Sequence, residues 1–353
     1  PVPGLRLTLI SPLVYTPYSG MLPGLVAGHY SFEQTHIDLA KVCAWAGVRF
    51  IQASATHIDA QLKSIQLQGR PNIDYDVCSI DIGITPSQSI NGSKEFAVPV
   101  KPISEFYSHW QSLQKALLSH KAQAHKKSEP FKVAIIGGGA GGIELITAME
   151  YWANQNNCHA QFTLLSRGQS LLPDYPNALQ KKLIKHFKNN NIRLCLGFDS
   201  QSISKGYIHD KQQKVAFDKV FYCTQASAAP WLQKSELALN DHGFIKVNNQ
   251  LQSTSHPEVF AAGDIAHQVE HPRPKAGVYA VRCAPILFNN LISTALNKPL
   301  KAFKPQKDFL SLLALGGKLA LGSRKPFSFS GSWVWRWKNH IDVKFMNMFH
   351  ELP

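Results

Sequence analysis

The residues best spaced for chemistry are three glycines that directly follow an apolar strand. Residues 133–136 form a short β-branched run typical of a buried parallel strand, and Gly137, Gly139 and Gly142 follow it in G-x-G-x-x-G spacing. A helical pattern comes next. In this order the first glycine permits a tight turn, the second lets a phosphate approach the backbone, and the third lets helix and strand pack closely. Residues 131–151 therefore predict a dinucleotide site, with the helix N-terminus facing the pyrophosphate.

A second candidate site lies at the end of another apolar strand, over residues 259–262. Gly263 and Asp264 follow this strand directly. A carboxylate in that position can accept hydrogen bonds from the hydroxyl groups of a polyol, and the glycine leaves room for the ligand chain beside it. The pair therefore indicates a second ligand site in the same chain.

The histidines near Asp264 do not predict a metal centre. His267 and His271 have His-x3-His spacing, which suits a metal only on a helix. Pro272 and the lack of a third ligand argue against that arrangement, so we interpret them as loop histidines near a cofactor and predict no metal.

The bulk composition describes an ordinary globular protein of two or three domains. Hydrophobic residues make up 44% and charged residues 17% of the 353 residues. No apolar run approaches the roughly 18 residues of a membrane span, and the N-terminus shows no signal-peptide pattern. These features favour a cytoplasmic protein.

The net charge and the spacing of the cysteines indicate which partners and metal or redox sites to exclude. The net charge is +14 and the pI is about 9.5, but no RNP, zinc-finger or clear helix-turn-helix pattern accompanies that charge. We therefore predict no nucleic-acid partner. The six cysteines are scattered singly without a C-x-x-C pair, which argues against a zinc ribbon and against a redox dithiol.

Periodicity predicts the main elements around these sites. Helical spacing covers residues 32–46, 176–189 and 278–296, with Ser31 as a candidate N-cap for the first helix. Trp333, Trp335 and Trp337 alternate in the C-terminal tail, which predicts a strand with one aromatic face. The βαβ alternation from residue 131 to Thr224 predicts one nucleotide-binding domain.

Five motifs together resemble the pyridine nucleotide-disulfide oxidoreductase superfamily over nearly the whole chain. They are TPYSGMLPG, YDVCSIDIG, IIGGGAGGIE, HPEVFAAGDIA and RPKAGVYAVR. Within the superfamily they are most similar to the type II NADH dehydrogenase-like flavoproteins, especially the branch fused to or encoded beside selenide, water dikinase. The resemblance implies an α/β fold with two Rossmann-like, three-layer dinucleotide-binding domains of glutathione-reductase type and a small C-terminal α+β segment.

The same resemblance implies a division of the chain into five parts. They are residues 1–103, the first part of an FAD domain; 104–130, a connector; 131–224, the NAD(P)H domain; 225–300, the second part of the FAD domain; and 301–353, a C-terminal interface segment.

The resemblance also implies the roles of individual residues. Residues expected to contact FAD are Ser11, Pro12, Tyr18, Ser19, Gly20, Gly83, Thr85, Pro86, Gly263, Asp264, Lys275 and Ala276. Residues expected to line the nicotinamide nucleotide site are Gly137, Gly139, Gly142 and Glu144. Lys275, beside the isoalloxazine, and Cys283 are the candidate catalytic residues. Hydride would pass from NAD(P)H to the flavin and on to an acceptor.

Three departures from the family pattern qualify these expectations. No glycine fingerprint precedes the first predicted strand, so either about 25 to 35 residues, roughly one βα unit, are missing or flavin binding is compromised; we favour the missing segment. Ser166 and Arg167 end the second strand of the NAD(P)H domain where an acidic residue would bind the ribose of NAD. Arg167 either pairs with the 2′-phosphate of NADP or is a solvated surface residue. Cys283 stands where relatives usually have Gln, and a passive helix cysteine is the favoured alternative to a redox thiol.

The leading hypothesis is an FAD-dependent NAD(P)H oxidoreductase whose acceptor is a quinone or a small selenium or sulfur species. The alternative is a low-turnover nucleotide-binding module that supports a selenophosphate synthetase-type partner. Residues 318–345 carry six Lys or Arg against one Asp. The tail is thus suited to peripheral contact with anionic lipid on the inner face of a membrane, and packing on the FAD domain or on a partner is the equally supported alternative.

Overall fold

The computed structural model describes residues 3–86, 90–123, 129–223, 226–324 and 327–352. The predicted boundary at Thr224 and residues 124–128 of the predicted connector lie outside the described residues. Of the described residues, we call those in 90–223 the central domain, those in 3–86 and 226–300 the outer domain, and those in 301–352 the C-terminal segment.

The central domain contains a five-stranded sheet in which every neighbouring pair is parallel. Its strands lie in the order β10 (Val98–Pro99), β17 (Lys219–Tyr222), β11 (Phe131–Ile136), β12 (Ala160–Ser166) and β13 (Arg193–Leu196). The last four residues of β11 and the last five of β12 are buried, as expected for parallel strands covered on both faces. Its elements are α4 (Ser93–Phe96), β10 (Val98–Pro99), α5 (Ile103–Gln123), β11 (Phe131–Ile136), α6 (Ala140–Gln155), β12 (Ala160–Ser166), α7 (Asn177–Asn189), β13 (Arg193–Leu196), β14 (Ser202–Ser204), β15 (Tyr207–His209), β16 (Lys214–Ala216) and β17 (Lys219–Tyr222).

Helix α5, within the predicted connector, packs into the core of the central domain. Phe106, Trp110, Leu113 and Leu117 recur at helical spacing and are at most 1% exposed. They share one apolar cluster with residues of β11 and α6. The helix therefore covers part of the sheet.

Among the described residues, the outer domain contains three separate pairs of parallel strands. β1 (Thr8–Ser11) pairs with β4 (Arg49–Gln52), β8 (Cys78–Ile80) with β20 (Val259–Ala261), and β19 (Ile245–Val247) with β21 (Ala266–Gln268). They share one apolar core, which includes Ile51, Ile80 and Ala261 and is joined by Ile10. The first part contains β1 (Thr8–Ser11), β2 (Tyr15–Pro17), α1 (Leu22–Val26), α2 (Phe32–Thr35), β3 (His36–Asp38), α3 (Leu39–Ala46), β4 (Arg49–Gln52), β5 (Ala55–Asp59), β6 (Ser64–Leu67), β7 (Arg70–Asp74), β8 (Cys78–Ile80) and β9 (Thr85–Pro86). The second part contains β18 (Ala226–Ser227), β19 (Ile245–Val247), β20 (Val259–Ala261), β21 (Ala266–Gln268) and α8 (Gly277–Ala295).

The prediction of one continuous helix over residues 32–46 is wrong, because a short strand interrupts it. Ser31 does cap α2 through a capping box with Gln34, as its sequence position suggested. The chain then leaves the helix, and β3 pairs antiparallel with β2. A new helix, α3, begins because the Asp38 carboxylate accepts a hydrogen bond from Lys41 N at 2.9 Å. Tertiary pairing thus overrides a continuous helical pattern.

The C-terminal segment is a three-stranded antiparallel sheet followed by a long helix. It contains β22 (Ser311–Ala314), β23 (Ala320–Arg324), β24 (Phe327–Gly331) and α9 (Ser332–His350). The strand predicted for the tryptophans is therefore wrong. Trp333 and Trp337 lie one helical turn apart and stack with their ring centroids 6.4 Å apart. Trp335 contacts His29 of the outer domain instead.

No helix in the described ranges is both long and apolar enough to cross a membrane.

Candidate functional site

The glycine turn of the central domain has the close backbone packing that its spacing predicts. Gly137 has φ +126°, and a Cβ there would lie 2.8 Å from the carbonyl oxygen of Cys223. A Cβ on Gly142 would overlap the carbonyl oxygen of Gly137. Gly139 is the N-cap of α6, and no atom lies within 4 Å of a Cβ built there. The turn is thus tight on its protein side and open where a phosphate would approach.

Ser166 and Arg167 occupy different positions relative to this turn. Ser166 is buried at the end of β12. Its hydroxyl packs so closely against Gly138 that a Cβ there would collide with it, so Ser166 contacts the turn on its protein side. Arg167 follows it and is exposed. Of the two, Arg167 is the side chain free to reach a bound nucleotide from the carboxyl end of β12.

Gly263 and Asp264 lie where β20 ends. Gly263 has φ +66°, a left-handed conformation that favours glycine. The Asp264 carboxylate forms an ion pair with Lys101, 3.4 Å between Oδ2 and Nζ, and 21% of its side chain is exposed. Lys101 also lies close enough to lower the pKa of Cys223, against the burial that raises it to about 12. Because Cys223 packs behind Gly137, the charge of Lys101 acts both at the Asp264 site and behind the glycine turn.

Among the cations near Asp264, Lys275 is the one whose pKa changes most. Its ammonium donates a hydrogen bond to Ala266 O at 2.7 Å and lies 3.9 Å from the ring centroid of Phe244. Burial lowers the pKa of Lys275 to about 8, although Asp264 opposes this change. Ala276, the next residue, is the N-cap of α8, so the positive end of that helix faces the same cleft.

Several of these residues line one cleft. Its wall includes Gly263, Asp264, Lys275, Ala276 and Cys283 from the sequence prediction, together with Arg273. Arg273 Nε is buried without a hydrogen-bond partner among the described residues. An unpartnered donor, a helix N-terminus, a carboxylate and a partly buried lysine fit a polar, electron-rich cofactor such as FAD.

Cys283 lies in the wall of the cleft but is not activated. It is 4% exposed, and its thiol donates to Ala280 O at 3.2 Å. Burial raises the pKa of this thiol. A protonated, buried thiol is a poor nucleophile, so the geometry favours the passive helix cysteine over a redox group.

Four more predicted flavin contacts lie in or directly beside short strands of the outer domain. Ser11 ends β1, where its hydroxyl accepts a hydrogen bond from Leu13 N at 3.1 Å, and the exposed Pro12 follows. Thr85 begins β9 and donates to Ser227 O at 3.2 Å. Thr85 and Pro86 pair with β18, so this strand joins the two parts of the outer domain.

Gly83 precedes that strand in a left-handed conformation, with φ +66°.

The Tyr18–Gly20 loop contacts the C-terminal helix. Tyr18 donates to Asp342 Oδ1 at 3.3 Å, and Gly20 O accepts a hydrogen bond from Lys338 Nζ at 2.6 Å. Ser19, between them, is exposed. Lys338 and Asp342 form an ion pair at 2.6 Å, with only 12% and 7% of their side chains exposed.

Glu144, predicted to line the nucleotide site, borders the same helix. Its Oε1 accepts a hydrogen bond from Ala314 N of β22 at 2.9 Å. Burial raises the pKa of Glu144 to about 7, while the charge of Lys338 acts in the opposite direction. We call Tyr18, Glu144, Lys338 and Asp342 the interface network.

Sequence reasoning missed three charged residues of these sites: Lys101, Lys338 and Asp342. Lys338 and Asp342 have i,i+4 spacing, which signals a helical ion pair once the tail is read as a helix. Lys101 lies between Pro99 and Pro102, and no local pattern marks it as a functional residue.

Comparison with known proteins agrees with this arrangement. The family model described as pyridine nucleotide-disulphide oxidoreductase matches residues 46–284. The NADH dehydrogenase-like protein YutJ of Bacillus subtilis (strain 168) is 22% identical over 295 residues, which cover 81% of this chain and 78% of that protein. The type II NADH:quinone oxidoreductase of Staphylococcus haemolyticus is 20% identical over 294 residues, covering 78% and 72%.

A solved structure confirms the predicted fold class. The sulfide:quinone oxidoreductase of Aquifex aeolicus superposes with a TM-score of 0.81 at 18% identity, covering 100% of this chain and 87% of that one. The two Rossmann-like domains are thus confirmed. The chain belongs to the pyridine nucleotide-disulphide oxidoreductase family and is an oxidoreductase that uses FAD and NAD(P)H.

Proposed function

We propose that this protein passes hydride equivalents from NAD(P)H through FAD to a quinone. The observation that carries the proposal is the closeness of the two sites: Lys101 pairs with Asp264 in the cleft, and its charge acts on Cys223 behind the glycine turn. Nucleotide and flavin sites that adjoin in this way allow direct transfer between them. The names of the relatives, which include NADH dehydrogenase and NADH:quinone oxidoreductase, support the same reaction class.

The residues of this chain bind and orient, and the flavin supplies the hydride chemistry when it is bound. The glycine turn and the N-terminus of α6 hold the nucleotide phosphates. Asp264, held in place by Lys101, accepts hydrogen bonds from ligand hydroxyl groups. Lys275 places a positive charge beside the N-terminus of α8, where it stabilises negative charge on an electron-rich ring system.

The interface network supplies a group able to move protons near neutral pH. Reduction of a quinone to a quinol consumes two protons in addition to two electrons. Glu144 has a pKa of about 7, so it gives up or takes up a proton in the physiological range. It lies between the nucleotide-binding turn of α6 and the C-terminal segment. We propose that the quinone is reduced at this junction.

The outer face of the C-terminal segment supports a lipid-soluble acceptor. Phe329, Trp333 and Trp337 form one aromatic group, and both tryptophans are more than 40% exposed. Arg336 and Lys344 on the same helix are also exposed. Exposed aromatic and basic side chains suit the interface of an anionic membrane, where quinones dissolve.

The strand pairs of the outer domain support the expectation of one further βα unit. Among the described residues, no ladder joins β1–β4 to β8–β20, although the two pairs share a core. One more parallel strand between them would complete a continuous sheet, and this strand stays a prediction.

A selenium or sulfur acceptor, a selenophosphate synthetase-type partner and the accessory role also stay predictions of the sequence.

An anaerobic titration of the full-length protein tests the proposed reaction. We expect NADH or NADPH to bleach the flavin absorbance near 450 nm, and a water-soluble ubiquinone analogue to restore it. A protein that binds FAD but is bleached by neither nucleotide contradicts the oxidoreductase assignment and favours the accessory role. A reduced protein that the quinone does not reoxidise refutes the choice of acceptor alone.

A further inference from the structure

Asp81 is a second carboxylate at the edge of the sheet that holds Asp264. It follows β8 directly, and β8 runs parallel to β20, with Ile80 opposite Ala261. The backbone N–H of Ala262 donates to Ile80 O at 3.1 Å, so the two strands stay paired until both carboxyl ends. A Cβ on Gly263 would lie 2.5 Å from Asp81 Oδ1. Asp81 and Asp264 therefore lie side by side where parallel sheets bind their ligands.

The two carboxylates differ in whether a cation lies beside them. Asp264 has Lys101 as its ion-pair partner. Among the described residues, Asp81 has no hydrogen bond and no ion pair of its own. The other titratable group that faces it is the Cys283 thiol on α8, whose pKa Asp81 helps to raise. Asp81 is exposed as a residue, but the atoms crowded around its carboxyl and the charge of Asp264 raise the pKa of that carboxyl to about 6.

A bound anionic dinucleotide would add further negative charge near Asp81. FAD carries two negatively charged phosphates, and a ligand at the carboxyl ends of these strands passes Asp81. An ionised Asp81 would then face negative charge from Asp264 and from the ligand without a compensating cation. A neutral Asp81 removes that repulsion and gains an O–H group that can donate to a phosphate or ribityl oxygen.

We propose that Asp81 binds FAD in its protonated form, so that flavin affinity in this protein is coupled to proton uptake. The role assigned to Asp81 is one of binding and specificity, and it rests on FAD occupying this cleft. The coupling has a defined direction. Acidification favours the neutral carboxyl and tightens flavin binding, whereas each pH unit above the pKa of free Asp81 weakens it.

The size of the effect follows from the fraction of free protein that is protonated. With a pKa near 6, about one free molecule in 30 carries a neutral Asp81 at pH 7.5, against most molecules at pH 5.5. The dissociation constant of FAD is then roughly 20-fold larger at pH 7.5 than at pH 5.5. The range stops at pH 7.5 because Lys275, with a pKa of about 8, loses charge above it.

Quenching of FAD fluorescence, titrated from pH 5.5 to 7.5 on the full-length apoprotein, measures this coupling. Asp81→Asn replaces the carboxyl by a neutral group of the same shape, and we expect it to bind FAD at every pH about as tightly as the wild type does at pH 5.5. Asp76→Asn is the matched control, because Asp76 is an exposed aspartate just before β8. It should keep the wild-type pH dependence. Thermal melts at each pH verify that every variant is folded.

A wild-type dissociation constant that does not change across this range overturns the proposal. So does an Asp81→Asn variant that keeps the wild-type slope. Failure to bind FAD at any pH is a different result: it removes the cleft as the flavin site, and the role of Asp81 with it.

Discussion

Lys338→Met tests whether the interface network joins the C-terminal helix to the outer domain. Lys338 donates to Gly20 O and to Asp342 Oδ2, both at 2.6 Å, and 12% of its side chain is exposed. The substitution keeps the length and volume of the side chain but removes the charge. It leaves Asp342 7% exposed, with only the hydroxyl of Tyr18 as a partner at 3.3 Å. A buried carboxylate is then left without its cation.

The expected loss of stability is large for a single substitution. Breaking a buried ion pair by removing one partner typically costs about 3–5 kcal/mol. We expect a loss of about 3 kcal/mol, because Tyr18 still donates to the remaining carboxylate. Urea unfolding of the flavin-loaded protein, followed by tryptophan fluorescence, measures it, since α9 carries three tryptophans. Lys344→Met is the matched control: Lys344 is exposed on the same helix, and its loss should cost less than about 0.5 kcal/mol.

The pH dependence gives an independent check. Burial already raises the pKa of Asp342, and loss of Lys338 raises it further. The penalty belongs to the ionised form, so the deficit of Lys338→Met is complete above the folded-state pKa and shrinks as acid protonates the carboxyl. Lys338→Met combined with Asp342→Leu should recover most of the loss. Equal unfolding midpoints for Lys338→Met and Lys344→Met, or a deficit that grows in acid, would refute the reasoning.

Three further predictions concern the nucleotide and acceptor sites. Gly142→Ala places a methyl group on the Gly137 carbonyl oxygen and should raise the dissociation constant of NADH at least about tenfold, measured by fluorescence titration, whereas Gly141→Ala, with open space around it, should change it less than about twofold. Arg167→Ala should lower kcat/KM about tenfold for NADPH and leave NADH unchanged if the guanidinium pairs with the 2′-phosphate; an equal loss for both nucleotides contradicts that pairing. Glu144→Gln should leave flavin reduction intact and slow quinone reduction at least about 100-fold. Wild-type turnover should fall as pH rises through about 7, because Glu144 then loses the proton it donates, and a variant that keeps this limb excludes the role.

Local patterns in the sequence predicted the nucleotide-binding turn because each of its requirements lies within 20 residues. Strand, glycine spacing and helix are contiguous, and the structure confirms all three. The boundaries of α7 were also close to prediction, at Asn177–Asn189. Where the ligand site depends on one short segment, spacing alone carries most of the information.

Residues brought together from distant segments could not be predicted in the same way. Alternating tryptophans fit a strand and also fit two faces of a helix, and only packing against His29 and Phe329 distinguishes the two. Lys338 and Gly20 are 318 positions apart, so no local pattern links them. Nothing in the sequence around Asp81 distinguishes it from other residues that follow a strand. Only the pairing of β8 with β20 brings it beside Asp264.

The outer domain is assembled from two distant parts of the chain, and this has a consequence for the lifetime of the protein in the cell. β8 pairs with β20 across the whole central domain, whereas β11 and β12 are close in sequence. Pairing of distant segments carries a larger loop-closure cost, so we expect backbone amides of β8 and β20 to exchange with solvent faster than those of β11 and β12. A bound flavin suppresses such opening by mass action, since it binds only the closed form. We expect proteases to cleave the flavin-free protein first in the outer domain, so that its cellular abundance follows the supply of flavin.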